Sequence, residues 1–336
     1  MIVGSFTDSS FGSMSTSTKG SVPPPMNPPL LTAFSWCLTD ADNGETLWGK
    51  GADERLEIAS LTKIMTACAV LKIMRLLKLD PSTATLIVPN KAVGVIGTTA
   101  GLYENDKLSV DQLLYGLMLP SGNDAALTLA EGCGRLLISG CDTNKALKSK
   151  LKTGLRLMTV KNFSKVNPTE MFIRCMNMLA CKLGLLHTFF SNPHGLADKT
   201  NKSTSGDIGK LVCFARKDEL ISRIVKTRDY KCSAATLKGE QREYNWSNTN
   251  SLLKEGYDGF KTGITPTAGP CLVGTKKYRD INLIITVLHC KSCEHRWKEI
   301  NAIYGWAAHV IDSIYDNCVD DTINLKKIAS LFHRII

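Results

Sequence analysis

The hydrophobic pattern at the two ends of the chain predicts β-strands. Residues 31–57 hold two strand-like runs on either side of "ADNGE", and the dipeptide Asn43-Gly44 favours a hairpin turn. After residue 255 the runs "YDGFKTGIT", "AGPCLVGTKKY" and "INLIITVLHC" alternate or are continuously apolar, which indicates three further strands. A helix over residues 294–311 is predicted to follow them.

Between these ends the hydrophobic spacing is mostly helical. Residues 60–79 are apolar on nearly every side, which is typical of a buried helix. A capping-box pattern opens a predicted helix at 109–119, and another helix is expected at 124–137. "ATLIVP" predicts a short strand, while "TEMFIRCMNMLACKLG", which stops at Gly184, and "SGDIGKLVCFARKD" predict helices. We therefore expect an α+β protein, with one sheet built from both terminal segments and a helical subdomain inserted between them.

Composition limits the class of protein. The chain has 336 residues, of which 43% are hydrophobic and 21% charged, as in an ordinary soluble globular protein. No apolar run reaches the roughly 18 residues of a membrane-spanning helix. Residues 1–30 are rich in Ser, Thr and Pro, which predicts a disordered tail without the features of a signal peptide. A cytoplasmic location is therefore expected, unless this start is not the natural one.

Charge and cysteine content point to no specific ligand. The net charge of +10 favours anionic partners, but no nucleic-acid-binding module is recognisable, so a dispersed basic surface is expected. Twelve cysteines in a large chain without an export signal do not predict a disulfide framework. Cys290 and Cys293 form a single CxxC pair, and a zinc site needs two more ligands at suitable spacing. We expect no metal and no cofactor.

Candidate chemistry lies in three short motifs. They are Ser60-Leu61-Thr62-Lys63 in the buried helix, Ser121-Gly122-Asn123 at a bend between two predicted helices, and Lys261-Thr262-Gly263 in a predicted strand. Each motif alone arises by chance in many chains of this length. Together, in this order and in these contexts, they match the motif set of penicillin-binding proteins and serine β-lactamases.

The likeness extends to longer segments, including "ERLEIASLTKIMTA", "LLYGLMLPSGNDAALTLAE", "MNMLACKLGLLHTFFSNPHGL" and "YDGFKTGITPTAGPCLVG". These segments resemble the D-alanyl-D-alanine carboxypeptidases, the low-molecular-weight penicillin-binding proteins. The resemblance covers roughly residues 32–312 and is interrupted at about 138–168, a polar, lysine-rich stretch that we interpret as an insertion or a long surface loop. It implies the penicillin-binding-protein fold, in which an antiparallel sheet is flanked by helices and an all-helical subdomain is inserted.

The chemistry of Ser60 and Lys63 follows from physical argument. Ser60 Oγ would attack the carbonyl carbon of a D-Ala-D-Ala bond and form an acyl-enzyme. Residues i and i+3 share a helix face, so a neutral Lys63 would serve as its base. A lysine with a pKa of about 10.4 must shift by roughly 3 units to be neutral near pH 7. Burial of Lys63 and a second cation, Lys261, both act in that direction.

Other roles are implied by the resemblance alone. Ser121 would relay a proton to the leaving amine, and Asn123 would hold Lys63 and bind the substrate backbone. Lys261 and Thr262 would bind the terminal carboxylate. Gly263 would let the substrate lie against the strand edge, the N–H of Ile264 would be an oxyanion donor, and Arg296 would contact the same carboxylate. The expected partners are peptidoglycan stem peptides ending in D-Ala-D-Ala and β-lactam antibiotics, which inhibit covalently. His194 is interpreted as structural, with a satisfied hydrogen bond.

Two alternatives remain open. The first is a β-lactamase or a broad esterase or amidase of the same fold. A β-lactamase often needs an extra glutamate, and Glu170, the only Glu in residues 150–200, has a helical context. The second is an inactive protein that binds peptidoglycan peptides, against which the three intact motifs argue.

One feature departs from the family pattern. Pro266 and Thr267 follow "KTGIT", where relatives more often carry acidic or polar residues. We expect a catalytic domain at 31–315. The remaining segment, 316–336, has one apolar and one basic face, which allows membrane contact, although packing on the domain or a solvated end is favoured.

Overall fold

Runs of strands and runs of helices follow one another along the chain in a computed structural model that describes residues 27–146, 149, 165–236 and 238–316. The strands are β1 (Ser35–Asp40), β2 (Thr46–Lys50), β3 (Leu56–Glu57), β4 (Thr85–Ile87), β5 (Lys107–Ser109), β6 (Lys202–Ser203), β7 (Asp229–Ala235), β8 (Gln241–Ser247), β9 (Phe260–Thr265), β10 (Gly269–Tyr278) and β11 (Ile281–Leu288). The helices are α1 (Thr62–Leu77), α2 (Val110–Met118), α3 (Asn123–Thr143), α4 (Pro168–Lys182), α5 (Ser205–Ala215), α6 (Glu219–Lys226) and α7 (Cys293–Asp316).

The main sheet joins the two ends of the chain, as predicted. Its five strands are antiparallel in the order β2-β1-β11-β10-β9, so β1 from the N-terminal part pairs with β11 from the C-terminal part. Every residue of β1 is buried, because the strand lies inside the sheet. Strand β9 forms one edge, and its free side is available to pair with an extended peptide.

Helix α1 is buried as its apolar pattern predicts. Twelve of its 16 residues are buried, and these include Lys63. Burying one Leu, Ile or Met side chain contributes about 1.5–3 kcal/mol, so the helix is held by packing on several sides. A lysine in this setting is costly unless its amine is neutral or fully hydrogen-bonded.

The inserted region is not all-helical, and that expectation was wrong. Besides the helices it contains a second, four-stranded sheet in the order β4-β5-β7-β8. The pattern indicated β4 but missed the β7–β8 hairpin, because charged residues flank the inward positions. The buried residues of β8, Tyr244 and Trp246, do alternate, and Gly239 with φ +81° lies in the connecting turn. Helix α6 was also not predicted.

Several predicted segments lie wholly or partly outside the described residues. These are the tail at 1–30 before residue 27, most of the segment 138–168, and the tail at 316–336. Residues 138–143 continue helix α3, so the predicted start of the insertion at about residue 138 was too early. One compact unit comprises Pro28–Ala308. No helix among the described residues is both long and apolar enough to cross a bilayer.

Candidate active site

Ser60 lies in a 3₁₀ turn, Ala59–Leu61, that leads directly into α1. Ala59 adopts φ +48°, a left-handed conformation that costs a residue with a Cβ about 1 kcal/mol or more. Backbone strain of this kind persists only where the surrounding structure imposes it. Here it accompanies a partly exposed hydroxyl at the N-terminal end of a buried helix.

Lys63 is fully buried, and its amine contacts three oxygen atoms. Nζ lies 2.9 Å from Ser60 Oγ, 2.7 Å from Asn123 Oδ1 and 2.8 Å from the carbonyl oxygen of His194. The amide orientation of Asn123 is defined because its Nδ2 donates to the carbonyl of Ile96 at 2.7 Å. The lysine is therefore held by groups from three separate parts of the chain.

Burial shifts the protonation state of Lys63. Desolvation lowers its pKa well below the ordinary 10.5, and the nearby charge of Lys261 lowers it further, against a smaller opposing effect of Asp124. A neutral amine has two N–H donors and one lone pair. Asn123 Oδ1 and His194 O only accept, so they take the two N–H groups and leave the lone pair to the O–H of Ser60. This is the arrangement that a general base requires.

The loop that supplies the His194 carbonyl is fixed by its own contacts. Asn192 Oδ1 accepts from the N–H groups of His194 and Gly195 at 3.3 and 2.7 Å, and Thr66 Oγ1 donates to Pro193 O at 2.6 Å. His194 Nδ1 accepts from the N–H of Leu196 at 3.1 Å, so the imidazole has the structural hydrogen bond that was predicted. Its pKa is lowered to about 4 by burial and by Lys63.

Sequence reasoning did not find the role of this carbonyl. The segment "NPHGL" was noticed only as a likeness, and no side-chain pattern reveals a backbone oxygen that faces a residue 131 positions away.

The Ser121-Gly122-Asn123 motif lies at the bend between α2 and α3, as predicted, and Asn123 is the first residue of α3. Ser121 has φ +64° and is buried, and its Oγ has no hydrogen-bond partner among the described residues. A buried hydroxyl without a partner costs about 1–3 kcal/mol, which is tolerated more readily where a ligand completes the site. Both amide atoms of Asn123 already have partners within the protein, so its principal observed contact is with Lys63.

Lys261 and Thr262 lie on edge strand β9 and are buried. Lys261 Nζ donates to Thr262 O at 3.1 Å, and desolvation followed by the charge of Arg296 lowers its pKa to about 7. Thr262 Oγ1 lies 2.9 Å from Thr249 Oγ1, a partner that the sequence did not indicate. Near pH 7 the amine of Lys261 is therefore partly protonated, and an anionic ligand would stabilise its charged form.

Gly263 lies against the backbone of the nucleophile. A Cβ at this position would lie 3.0 Å from both Ile58 O and Ser60 N. The glycine is therefore required by close approach of the Ser60 turn to β9, a reason different from the room for substrate that was expected. This packing brings the Ser60 N–H next to the strand.

The register between β9 and β10 determines the direction in which the backbone N–H of Ile264 points. Ile264 pairs with Pro270, which has no N–H, and the carbonyl of Pro270 accepts from Cys290 N on its other side. Ile264 and Pro270 are therefore a non-hydrogen-bonded pair, in which the N–H of Ile264 points to the free edge of the sheet. Its side chain is 52% exposed.

Arg296 reaches the strand from α7. Its Nη1 donates to the carbonyl of Gly263 at 3.2 Å, the side chain is buried, and its Nε has no hydrogen-bond partner among the described residues. Its observed effects are to support β9 and to lower the pKa of Lys261.

The CxxC pair lies at the N-terminal end of α7. Cys290 is buried and Cys293 exposed, and both are free thiols. Within the described ranges, no group of three His, Cys, Asp or Glu side chains is placed to hold a metal ion.

A partly exposed serine beside a buried lysine of lowered pKa, next to an edge strand with a buried lysine, is the arrangement expected of enzymes that transfer acyl groups through an active-site serine. Comparison with known proteins identifies the family. The model of the peptidase S11 family, D-alanyl-D-alanine carboxypeptidase, matches residues 23–144 and 167–292. The chain belongs to this family and is a serine hydrolase. The match is interrupted inside the segment 138–168.

Individual relatives agree. The D-alanyl-D-alanine carboxypeptidase of Streptomyces sp. (strain K15) is 34% identical, over 83% of this chain and 89% of its own length. DacF of Bacillus subtilis is 28% identical to this chain. The match covers 82% of this chain and 62% of DacF, which is the longer protein. The crystal structure of the Streptomyces K15 DD-transpeptidase superposes with a TM-score of 0.71 at 32% identity, over 84% of this chain and 100% of that one. Penicillin-binding protein 6B from Escherichia coli gives a TM-score of 0.66 at 25% identity, over 85% of this chain and 80% of that one.

Proposed function

We propose that this protein removes the C-terminal D-alanine from peptidoglycan stem peptides by way of an acyl-enzyme on Ser60. The observation that carries the proposal is the amine of Lys63, which lies 2.9 Å from Ser60 Oγ while two carbonyl-type oxygens occupy its other directions. With the pKa lowered by burial, this amine takes the Ser60 proton as the Oγ–C bond forms.

The tetrahedral intermediate carries its negative charge on the former carbonyl oxygen. Two backbone donors suit that oxygen: the N–H of Ser60, and the N–H of Ile264 at the free edge of β9. Collapse of the intermediate breaks the C–N bond and releases D-alanine, whose amine takes the proton from Lys63. The unpartnered hydroxyl of Ser121 is suited to pass that proton on. Water then attacks the ester carbonyl and Lys63 accepts its proton. As the ester C–O bond breaks, Lys63 returns that proton to Ser60 Oγ, which restores the hydroxyl and releases the shortened peptide.

Terminal carboxylate binding is assigned to Lys261 and Thr262. The buried ammonium of Lys261 is destabilised in the free protein, and a carboxylate next to it favours the charged form. The hydroxyl of Thr262 offers a hydrogen bond, with Thr249 as its neighbour. Arg296 supports this end of the site through Gly263 O.

An acyl-enzyme can also be attacked by an amine, which gives transpeptidation. The Streptomyces K15 protein of known structure is named a DD-transpeptidase, and this makes amine transfer the second candidate. The two activities share Ser60 and Lys63 and differ in the acceptor. Adding glycine or a D-amino acid to the assay distinguishes them, because transpeptidation yields a peptide with the new C-terminal residue.

A β-lactamase activity has weaker support. Glu170 lies in the first turn of α4 and forms an ion pair with Arg174 at 2.5 Å, and it has no contact with Lys63 or Ser60. Glu170 is therefore not placed to activate water, and the penicilloyl ester is expected to persist.

The proposal is tested by intact-protein mass after exposure to benzylpenicillin. We expect a stable increase of one drug molecule in the wild type and in Ser82→Ala, an exposed serine in the turn after α1, but none in Ser60→Ala. D-Alanine release from a pentapeptide is then measured with the same three proteins. A folded wild type that forms no adduct and releases no D-alanine would refute the proposed function.

A further inference from the structure

Strand β9 ends in a turn that contacts the strand preceding the nucleophile. Thr267 Oγ1 donates to Glu57 Oε2 at 2.5 Å, and Glu57 lies three residues before Ser60. The turn itself is tied by Ala268 N, which donates to Thr265 Oγ1 at 3.0 Å. This places a carboxylate at the end of β9 opposite to Lys261, beyond Ile264.

The direction of a bound peptide follows from the site. Its terminal carboxylate lies at Lys261 and Thr262, and its scissile carbonyl lies at the N–H of Ile264. A peptide that pairs antiparallel with the edge of β9 therefore runs with its earlier residues beside Thr265 to Thr267. Residues advance by about 3.3 Å in an extended chain, so the residue before D-Ala-D-Ala lies next to this turn.

The carboxylate of Glu57 is available to a cation. Among the described residues no ammonium or guanidinium group lies within 4.0 Å of it, although Lys202 is its backbone partner in the β3–β6 pair. Glu57 is half-buried, and its hydrogen bond to Thr267 restricts its orientation. A fixed carboxylate of this kind favours a charged amine on the substrate over a neutral side chain.

We propose that Glu57, positioned by Thr267, recognises the cationic side chain of the residue that precedes D-Ala-D-Ala. The matching substrates carry a free amine there, as a lysine or a diamino acid does. This inference rests on the proposed function, because the direction of the peptide is taken from the assigned roles of Lys261 and Ile264. It gives a use to the Pro266-Thr267 turn that follows β9.

The test compares two peptides, Nα-acetyl-L-Lys-D-Ala-D-Ala and its Nε-acetylated form, which differ only in the side-chain charge. We expect the wild type to prefer the free amine by about two- to five-fold in kcat/KM, the range of a solvent-accessible ion pair. Glu57→Gln should bring this ratio close to one. Thr267→Val keeps the shape of the side chain but removes the hydrogen bond to Glu57. This variant should have a ratio between that of the wild type and that of Glu57→Gln.

Glu45→Gln is the matched control, because Glu45 is exposed in the β1–β2 hairpin at the opposite edge of the main sheet. It should keep the wild-type ratio. Acylation by benzylpenicillin verifies that each variant is folded and has a working Ser60. A ratio that Glu57→Gln leaves unchanged, or a wild type with no preference, would overturn the assignment while the proposed function stands. A wild type that cleaves neither peptide would overturn both.

Discussion

The amine of Lys63 lies 2.8 Å from the carbonyl oxygen of His194, which is 131 residues further along the chain. This contact and the one with Asn123 consume both N–H groups of a neutral lysine. The lone pair is thereby directed at Ser60. In the proposed mechanism, proton transfer to this lysine depends on both its pKa and the orientation that the two acceptors impose.

Removal of the base tests this directly. Lys63→Met should lower the rate of Ser60 acylation by benzylpenicillin by about 10²–10⁴-fold, the usual contribution of a positioned general base. It also leaves Asn123 Oδ1 and His194 O without a donor, so the free energy of unfolding should change as well. Stopped-flow acylation and thermal unfolding measure the two effects separately, and an unchanged acylation rate would contradict the role.

Asn123→Asp tests the orientation and the charge of Lys63 together. A carboxylate 2.7 Å from Nζ favours the ammonium form and raises the pKa of Lys63. We expect slower acylation at pH 7 that recovers partly as the pH rises, because the ammonium then loses its proton. The pH profile of acylation is the measurement. If acylation by the variant is slower at every pH but has the same pH dependence as the wild type, the substitution has only a structural effect.

Substrate binding should weaken above neutral pH. The pKa of Lys261 is lowered to about 7 by burial and by Arg296, and only its protonated form attracts a carboxylate strongly. As pH rises through about 7, KM for a D-Ala-D-Ala peptide should increase, whereas a substrate without the terminal carboxylate should not respond. Arg296→Met removes a charge that repels the Lys261 ammonium, so the rise of KM should occur at a higher pH.

The same lysine predicts how stability depends on pH. Its ordinary pKa of 10.5 applies to the unfolded chain, and the folded value is about 7, so between these values the unfolded state binds more protons. The contribution of Lys261 to stability is therefore complete above about 10.5 and is lost as pH falls through that window to about 7. Lys261→Met should flatten the pH dependence of the midpoint of thermal unfolding over this range. An equal slope in both proteins would contradict the lowered pKa.

Gly195 should be intolerant of a side chain. It has φ +85°, and a Cβ would lie 1.9 Å from the carbonyl oxygen of Ala59, directly before Ser60. Gly195→Ala is expected to cost about 1–3 kcal/mol and to slow acylation, because the His194 loop and the Ser60 turn must separate. Gly184→Ala is the control, since Gly184 has φ +68° with open space around it. Comparable acylation rates in the two variants would contradict the contact argument.

The local elements around the site were predictable because their signals are short-range. The capping box of Ser109 and Gln112 forms as its spacing indicates, and α1 is buried as its apolar pattern requires. The β7–β8 hairpin was missed because Arg242 and Glu243 obscure an alternation whose inward members are Tyr244 and Trp246. Its burial depends on the neighbouring helices, which no local pattern encodes.

By itself the sequence pointed to Ser60, Lys63 and the two further motifs as the candidate site, since residue type and spacing along a helix or strand are enough to single them out. Tertiary structure decided the rest. The carbonyl of His194, the free N–H of Ile264 and the Glu57–Thr267 hydrogen bond depend on backbone direction and on contacts between distant segments. The pKa of Lys63 and of Lys261 likewise depends on burial and on neighbouring charges, which exist only when the chain is folded.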